Sequence, residues 1–158
     1  MKRLKGFHWL FLLLWLPLTW ALPAQAEEVA KVVYHVDFDD TNRYSATLTS
    51  INNMLNEYEN QFKEYDVSIV FVGLGARFIT DTDKAGINGP LKERRAELKG
   101  RLSGLHSMRN VKLAVCNNTL TGFGMKAADL YEGVEVVPSG VVYLAELQEG
   151  GASYIKIQ

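Results

Sequence analysis

Short runs rich in β-branched residues alternate along this chain with stretches of helical spacing, and that alternation narrows the fold more than any other feature. Lys31 to Asp37 (KVVYHVD) reads as a strand that runs into an acidic loop, Phe38-Asp39-Asp40-Thr41-Asn42, well supplied with helix N-cap residues. From Tyr44 the apolar positions fall at Leu48, Ile51, Leu55, Tyr58 and Phe62, spacings of four and three that lay one stripe along a helix. Asp66 to Gly73 (DVSIVFVG) is an apolar run too short for a core helix, which predicts a central strand covered on both faces.

The pattern then repeats. Gly73-Leu74-Gly75-Ala76-Arg77-Phe78 reads as a loop that continues through Asp81, Asp83, Gly86 and Gly89, until Pro90 opens a helix from Leu91 to near Leu105 with a basic exposed face. Asn110 to Cys116 (NVKLAVC) is a third strand, and Asn117-Asn118-Thr119 can cap a short helical turn that Gly122 and Gly124 break. Val134 to Val137 is a fourth strand. Pro138-Ser139-Gly140 turns it into a helix from Val141 to near Gln148, and Ser153 to Ile157 makes the last strand. Strands alternating with helices predict βαβ units: an α/β fold with a mainly parallel sheet and helices on both faces. In such sheets functional groups collect beyond the carboxyl ends of the strands. That edge gathers His35 to Asp40, Gly73 to Arg77 and Cys116 to Thr119.

The first 26 residues have a different character. Lys2, Arg3 and Lys5 precede an apolar run from Phe7 to Leu22, and small residues follow at Ala24-Gln25-Ala26, which predicts an export signal cleaved after Ala26. The apolar run spans about 16 residues against the roughly 20 a membrane span needs, and it contains Pro17. Processing is therefore expected over anchoring, with a periplasmic or secreted product and no stable membrane insertion. The 158 residues less these 26 leave 132, a single domain large enough to bury a core without disulfides or metals. All three tryptophans, Trp9, Trp15 and Trp20, leave with the signal. Loss of its three basic residues takes Lys plus Arg from 17 to 14 against 18 acidic residues, a balance that argues against nucleic acid as a partner.

Cys116 is the only cysteine, so no internal disulfide can form, and an exposed thiol in an oxidising compartment invites mispairing. Two readings stand: Cys116 packs as a small apolar residue, or it is used. Backbone N–H groups at the start of a helical turn favour thiolate over thiol. Asn117, Asn118 and Thr119 bring amide and hydroxyl groups able to hold a sulfur substituent or a small anion. His35 and Asp37 lie two apart in the first strand and so face the same side at this edge. His35 is a candidate to tune the thiol, with a structural hydrogen-bonding role as its alternative. Arg77 is a candidate partner for an anionic sulfur species or for Asp37, against a plain surface role.

Other signals fail on chemistry. Asp81-x-Asp83-x-x-Gly86 opens like a calcium loop, but Ala85 and Lys92 occupy the fifth and twelfth positions, where ligands belong. Helix capping accounts for Asp37, Asp39 and Asp40 without a metal. Gly73 and Gly75 lack the third glycine of a dinucleotide fingerprint. Asn117-Asn118-Thr119 is a formal glycosylation triplet in what should be a tight turn. No Ser/His/Asp triad or multi-cysteine metal site can be assembled, and neither metal nor cofactor is expected.

KVVYHVDFDD, Ile51-Asn52-Asn53-Met54-Leu55, VSIVFVG, VKLAVCNNTL and DLYEGVEVVPSGV together resemble the DsrE/DsrF-like family, in its small signal-bearing branch. VKLAVCNNTL and YEGVEVVPSGV are the most specific of these. The resemblance implies a flavodoxin-like three-layer fold of about five strands and homo-oligomers built through helix and edge contacts. In members that handle sulfur, a cysteine ending a central strand accepts a persulfide sulfur and passes it to a partner protein. Cys116 is similar to that cysteine. The expected function is a periplasmic sulfur carrier or sulfurtransferase-like protein with a donor or acceptor protein as partner. The alternative is a non-catalytic oligomeric module whose sheet-edge pocket binds a small ligand or partner and whose cysteine is simply buried. A third is a redox-sensing thiol that forms an intermolecular disulfide.

Overall fold

The computed structural model describes residues 29–158, so the expected export signal and its tryptophans lie outside the described residues. In chain order the elements are β1 (Ala30–Val36), α1 (Thr41–Asn60), β2 (Tyr65–Phe71), α2 (Gly89–Arg109), β3 (Lys112–Cys116), α3 (Asn117–Phe123), β4 (Val134–Val137), α4 (Gly140–Glu149) and β5 (Ser153–Ile155). The strands form one sheet in the order β4-β3-β2-β1-β5. Every pairing between them is parallel, from Val36 beside Phe71 to Cys116 beside Val137.

Local chemistry explains the elements. Asp40 caps α1 by accepting from the Arg43 N–H at 2.6 Å, and Tyr44, Leu48, Ile51 and Leu55 bury the expected stripe. Phe62 departs from it. The helix ends at Asn60 and Phe62 takes φ 55°, which carries its ring off the stripe and leaves it 87% exposed. Asn88 caps α2 by accepting from the Leu91 N–H at 2.9 Å, with Pro90 in the first turn. β2 is buried on both faces from Val67 to Phe71, as its unbroken apolar run requires.

Period-two alternation divides the core into two layers. Val32, Tyr34, Ile69, Leu113 and Val115 face α1, α2 and α3, meeting Leu48, Leu98 and Leu120. Val33, Val70, Ala114 and Val137 face Leu144 of α4 alone. Two expected details change. Gly73–Ile79 is a 3-10 helix rather than an open loop, because Gly75, Ala76, Phe78 and Ile79 are buried there. Gly122 lies inside α3, which ends only at Gly124.

Candidate functional site

The helices that follow adjacent β3 and β4 leave the sheet in opposite directions. α3 joins the layer of α1 and α2, whereas α4 crosses the other face. Neighbouring strands whose connections diverge in this way open a crevice at their carboxyl ends. Cys116 is the last residue of β3 and stands at that carboxyl edge.

Cys116 is also the N-cap of α3, with extended backbone at φ −68° and ψ 122°. A side chain at that position faces the N–H groups of the second and third helical residues, here Asn118 and Thr119. The sulfur makes no close capping hydrogen bond of the kind an oxygen would, consistent with its weak acceptor character as a neutral thiol. α4 adds a further donor, the Gly140 N–H. Burial pushes the Cys116 thiol up. The Gly140 N–H, the Thr119 N–H and hydroxyl and the Asn118 N–H oppose it and prevail, so the pKa lies below that of an ordinary thiol.

The residue is only 5% exposed. Burial and a lowered thiol pKa coexist here. The backbone supplies most of the stabilisation: Asn117 and Asn118 are exposed on the first turn of α3, and Asn118 contributes through its N–H. Thr119 is the one side chain among them that faces the sulfur. Its Oγ1 accepts from the Gly73 N–H at 2.9 Å, so its single proton is free to point at Cys116.

The structure distributes the remaining candidates elsewhere on the edge. Asp37 continues the row Asp37, Val72, Cys116 across the sheet, since Val36 pairs with Phe71 and Phe71 with Val115. Two strand spacings separate Asp37 from Cys116 by about 10 Å. Its carboxylate turns to β5's side and accepts from Lys156 Nζ at 2.7 Å. Burial raises its pKa, but the Lys156 hydrogen bond and the nearby His35 leave it below the usual range. His35 lies two residues back, within β1, and hydrogen-bonds Tyr154 Oη through Nδ1 at 2.8 Å. Burial depresses its imidazole; Asp37 works against this and Lys156 with it.

Arg77 pairs with Asp39 and donates from Nε to the Ala85 carbonyl at 2.8 Å, which fastens the 3-10 segment to the following loop. The three aspartates thus have separate tasks: Asp37 on Lys156, Asp39 on Arg77 and Asp40 on the α1 N-terminus. Among the described residues no three His, Cys, Asp or Glu side chains converge as a metal site requires. Gly140 is a site component that sequence reasoning missed, placed at the start of α4 by its N-cap Ser139. The strand-to-helix turn at Pro138-Ser139-Gly140 was visible; its nearness to Cys116 depends on β4 lying beside β3.

This architecture is shared with solved structures. A protein of unknown function from Methanobacterium thermoautotrophicum is similar at 29% identity and TM-score 0.65, covering 80% of this chain and 98% of its own. The ychN protein from E. coli matches at 17% identity and TM-score 0.57, covering 82% of this chain and 100% of its own, and shows the fold alone. So does a conserved protein of unknown function from Bacteroides thetaiotaomicron, at 15% identity and TM-score 0.54, covering 80% of this chain and 94% of its own. No curated protein matches the sequence. The profile of the DsrE/DsrF-like family matches residues 30–157, nearly all of the described chain, and the chain belongs to that family.

Proposed function

We propose that this protein is a periplasmic sulfur carrier in which Cys116 accepts sulfane sulfur as a persulfide and hands it to a partner protein. The observation that carries this reading is the place of Cys116, which ends β3, caps α3 and packs directly against Gly140 at the start of α4, where the backbone N–H groups hold its thiol pKa below the ordinary value. Donors in that arrangement hold a thiolate, which is the nucleophilic form. In the uptake step the Cys116 thiolate attacks the outer sulfur of a donor persulfide, RS–SH. A new S–S bond forms to Cys116, the donor's S–S bond breaks, and its electron pair leaves with RS⁻. Delivery is the same exchange in reverse, with an acceptor thiolate attacking the outer sulfur. Because the chain has one cysteine, it cannot resolve the persulfide internally, so the acceptor is a second molecule. Export follows from the expected N-terminal signal, and a homo-oligomer from the family resemblance.

The test is intact mass after exposure to a sulfane-sulfur donor, with Cys116→Ser alongside. A gain of about 32 Da that reductant removes and the variant lacks, one sulfur on one reactive thiolate, is the expected result. No gain on a thiol shown to be reduced and accessible ends the proposal. The low exposure of Cys116, 5%, favours a second reading, a binding module with a structural cysteine. A thiol that stays inert to a small alkylating reagent in the folded protein selects it.

A further inference from the structure

Gly140 is the first residue of α4 and stands directly against Cys116 and its neighbour in the sheet row. A Cβ added there would lie 2.7 Å from Val72 Cγ2 and 3.0 Å from Cys116 Cβ. Gly89, the first residue of α2, shows that the fold does not demand glycine at a helix start, since a Cβ there meets nothing within 4 Å. Gly140 is not among the residues with positive φ. Its reason for being glycine is therefore contact rather than backbone conformation.

We infer that Gly140 is a positioning residue of the thiolate site: by lacking a side chain it lets α4 approach until its N–H faces the Cys116 sulfur. The inference deepens the carrier reading, because it names the residue that sets how much of the thiol is in the form able to take up sulfur. The mechanism is steric first and electrostatic second. A methyl group at position 140 collides with Val72 and Cys116, α4 retreats to relieve the contact, and the N–H moves away from the sulfur. Loss of a donor to the charged form favours the neutral thiol. The Thr119 and Asn118 groups belong to α3 and stay in place.

The experiment compares the protein with Gly140→Ala and with Gly140→Ala/Val72→Ala, following the rate of alkylation by a small reagent against pH together with thermal melting. The double variant removes the Val72 methyl that a new Cβ would strike, while the 3.0 Å approach to Cys116 remains. The expected result is a rise of about half a pH unit or more in the alkylation midpoint of both variants, a threefold or larger loss of thiolate below the midpoint. The melting temperature should recover in the double variant. A folded double variant with an unchanged midpoint overturns the assignment. The unmodified protein supplies an independent readout that does not depend on either variant folding: the Gly140 amide proton resonance should titrate with the thiol midpoint, and an insensitive resonance overturns the assignment as well. Neither measurement uses a sulfur donor. Failure of the protein to gain sulfur therefore removes the carrier reading while leaving the Gly140 result to stand or fall alone.

Discussion

The Gly73 N–H donates to Thr119 Oγ1 at 2.9 Å, tying the segment that follows β2 to the helical turn that follows β3. This bond occupies the hydroxyl as an acceptor and leaves its proton free for Cys116. Thr119→Val keeps the side chain's shape and removes both interactions. The alkylation midpoint of Cys116 should rise, and stability should fall by about 1 kcal/mol, since a half-buried N–H loses its partner. Urea titration and the alkylation profile measure the two effects separately. Thr119→Ser should restore both; a midpoint indifferent to Thr119→Val would mean the hydroxyl does not hold the sulfur.

Depression of the Cys116 pKa links stability to pH. The unfolded thiol titrates near 8.5 and the folded one lower, so between those values the unfolded chain binds more protons and stability rises with pH. The contribution is complete above about 8.5 and is lost as pH falls through the folded value. Unfolding free energies of the protein and Cys116→Ser, measured across this window, should diverge in favour of the cysteine as pH increases. Parallel curves would contradict the depressed pKa.

His35 acts in a lower window. Burial keeps its folded imidazole below the ordinary value of 6.5, with Asp37 opposing and Lys156 assisting. As pH drops below 6.5 the unfolded chain gains a proton that the folded one refuses, so stability falls until the folded value is passed. His35→Gln should flatten this part of the curve, as read from denaturant midpoints at several acidic pH values.

Gly133 has φ 80°, and a Cβ there would lie 2.0 Å from His106 Nε2. The His106 ring is held by a 2.9 Å hydrogen bond between Nδ1 and the Val111 carbonyl, so it cannot easily yield. Gly133→Ala should cost about 1–3 kcal/mol through strain and collision. Gly133→Ala/His106→Ala should not suffer the collision, and chemical denaturation will show whether the two effects are coupled.

Arg77 serves the loop rather than the thiol, through Asp39 and the Ala85 carbonyl. Arg77→Gln should lower the melting temperature and leave the alkylation profile of Cys116 unmoved. A shifted profile would return Arg77 to the site.

Comparison of His35, Asp37 and Arg77 with Cys116 shows why a shared edge is a coarse guide to a shared site. All four sit where the strand pattern puts them, at or near carboxyl ends. Asp37 even shares the row of Cys116, yet its charge is drawn away by Lys156, just beyond the strand that closes the far side of the sheet. Neither the position of β5 nor the reach of Lys156 has any signature in the residues around Asp37.

What the sequence determined by itself was local. Periodicity located β1 to β5 and the long helices, because a strand or helix buries a face whose spacing is written in consecutive residues. The same reasoning put Cys116 at the end of a strand with helix-capping neighbours, and Thr119 within reach of its sulfur. Only the tertiary structure decided that β4 lies beside β3, that α4 crosses the opposite face, and that Gly140 therefore completes the set of donors around Cys116. Strand order and the choice of face rest on contacts between residues far apart in the chain, and such contacts leave no period to read.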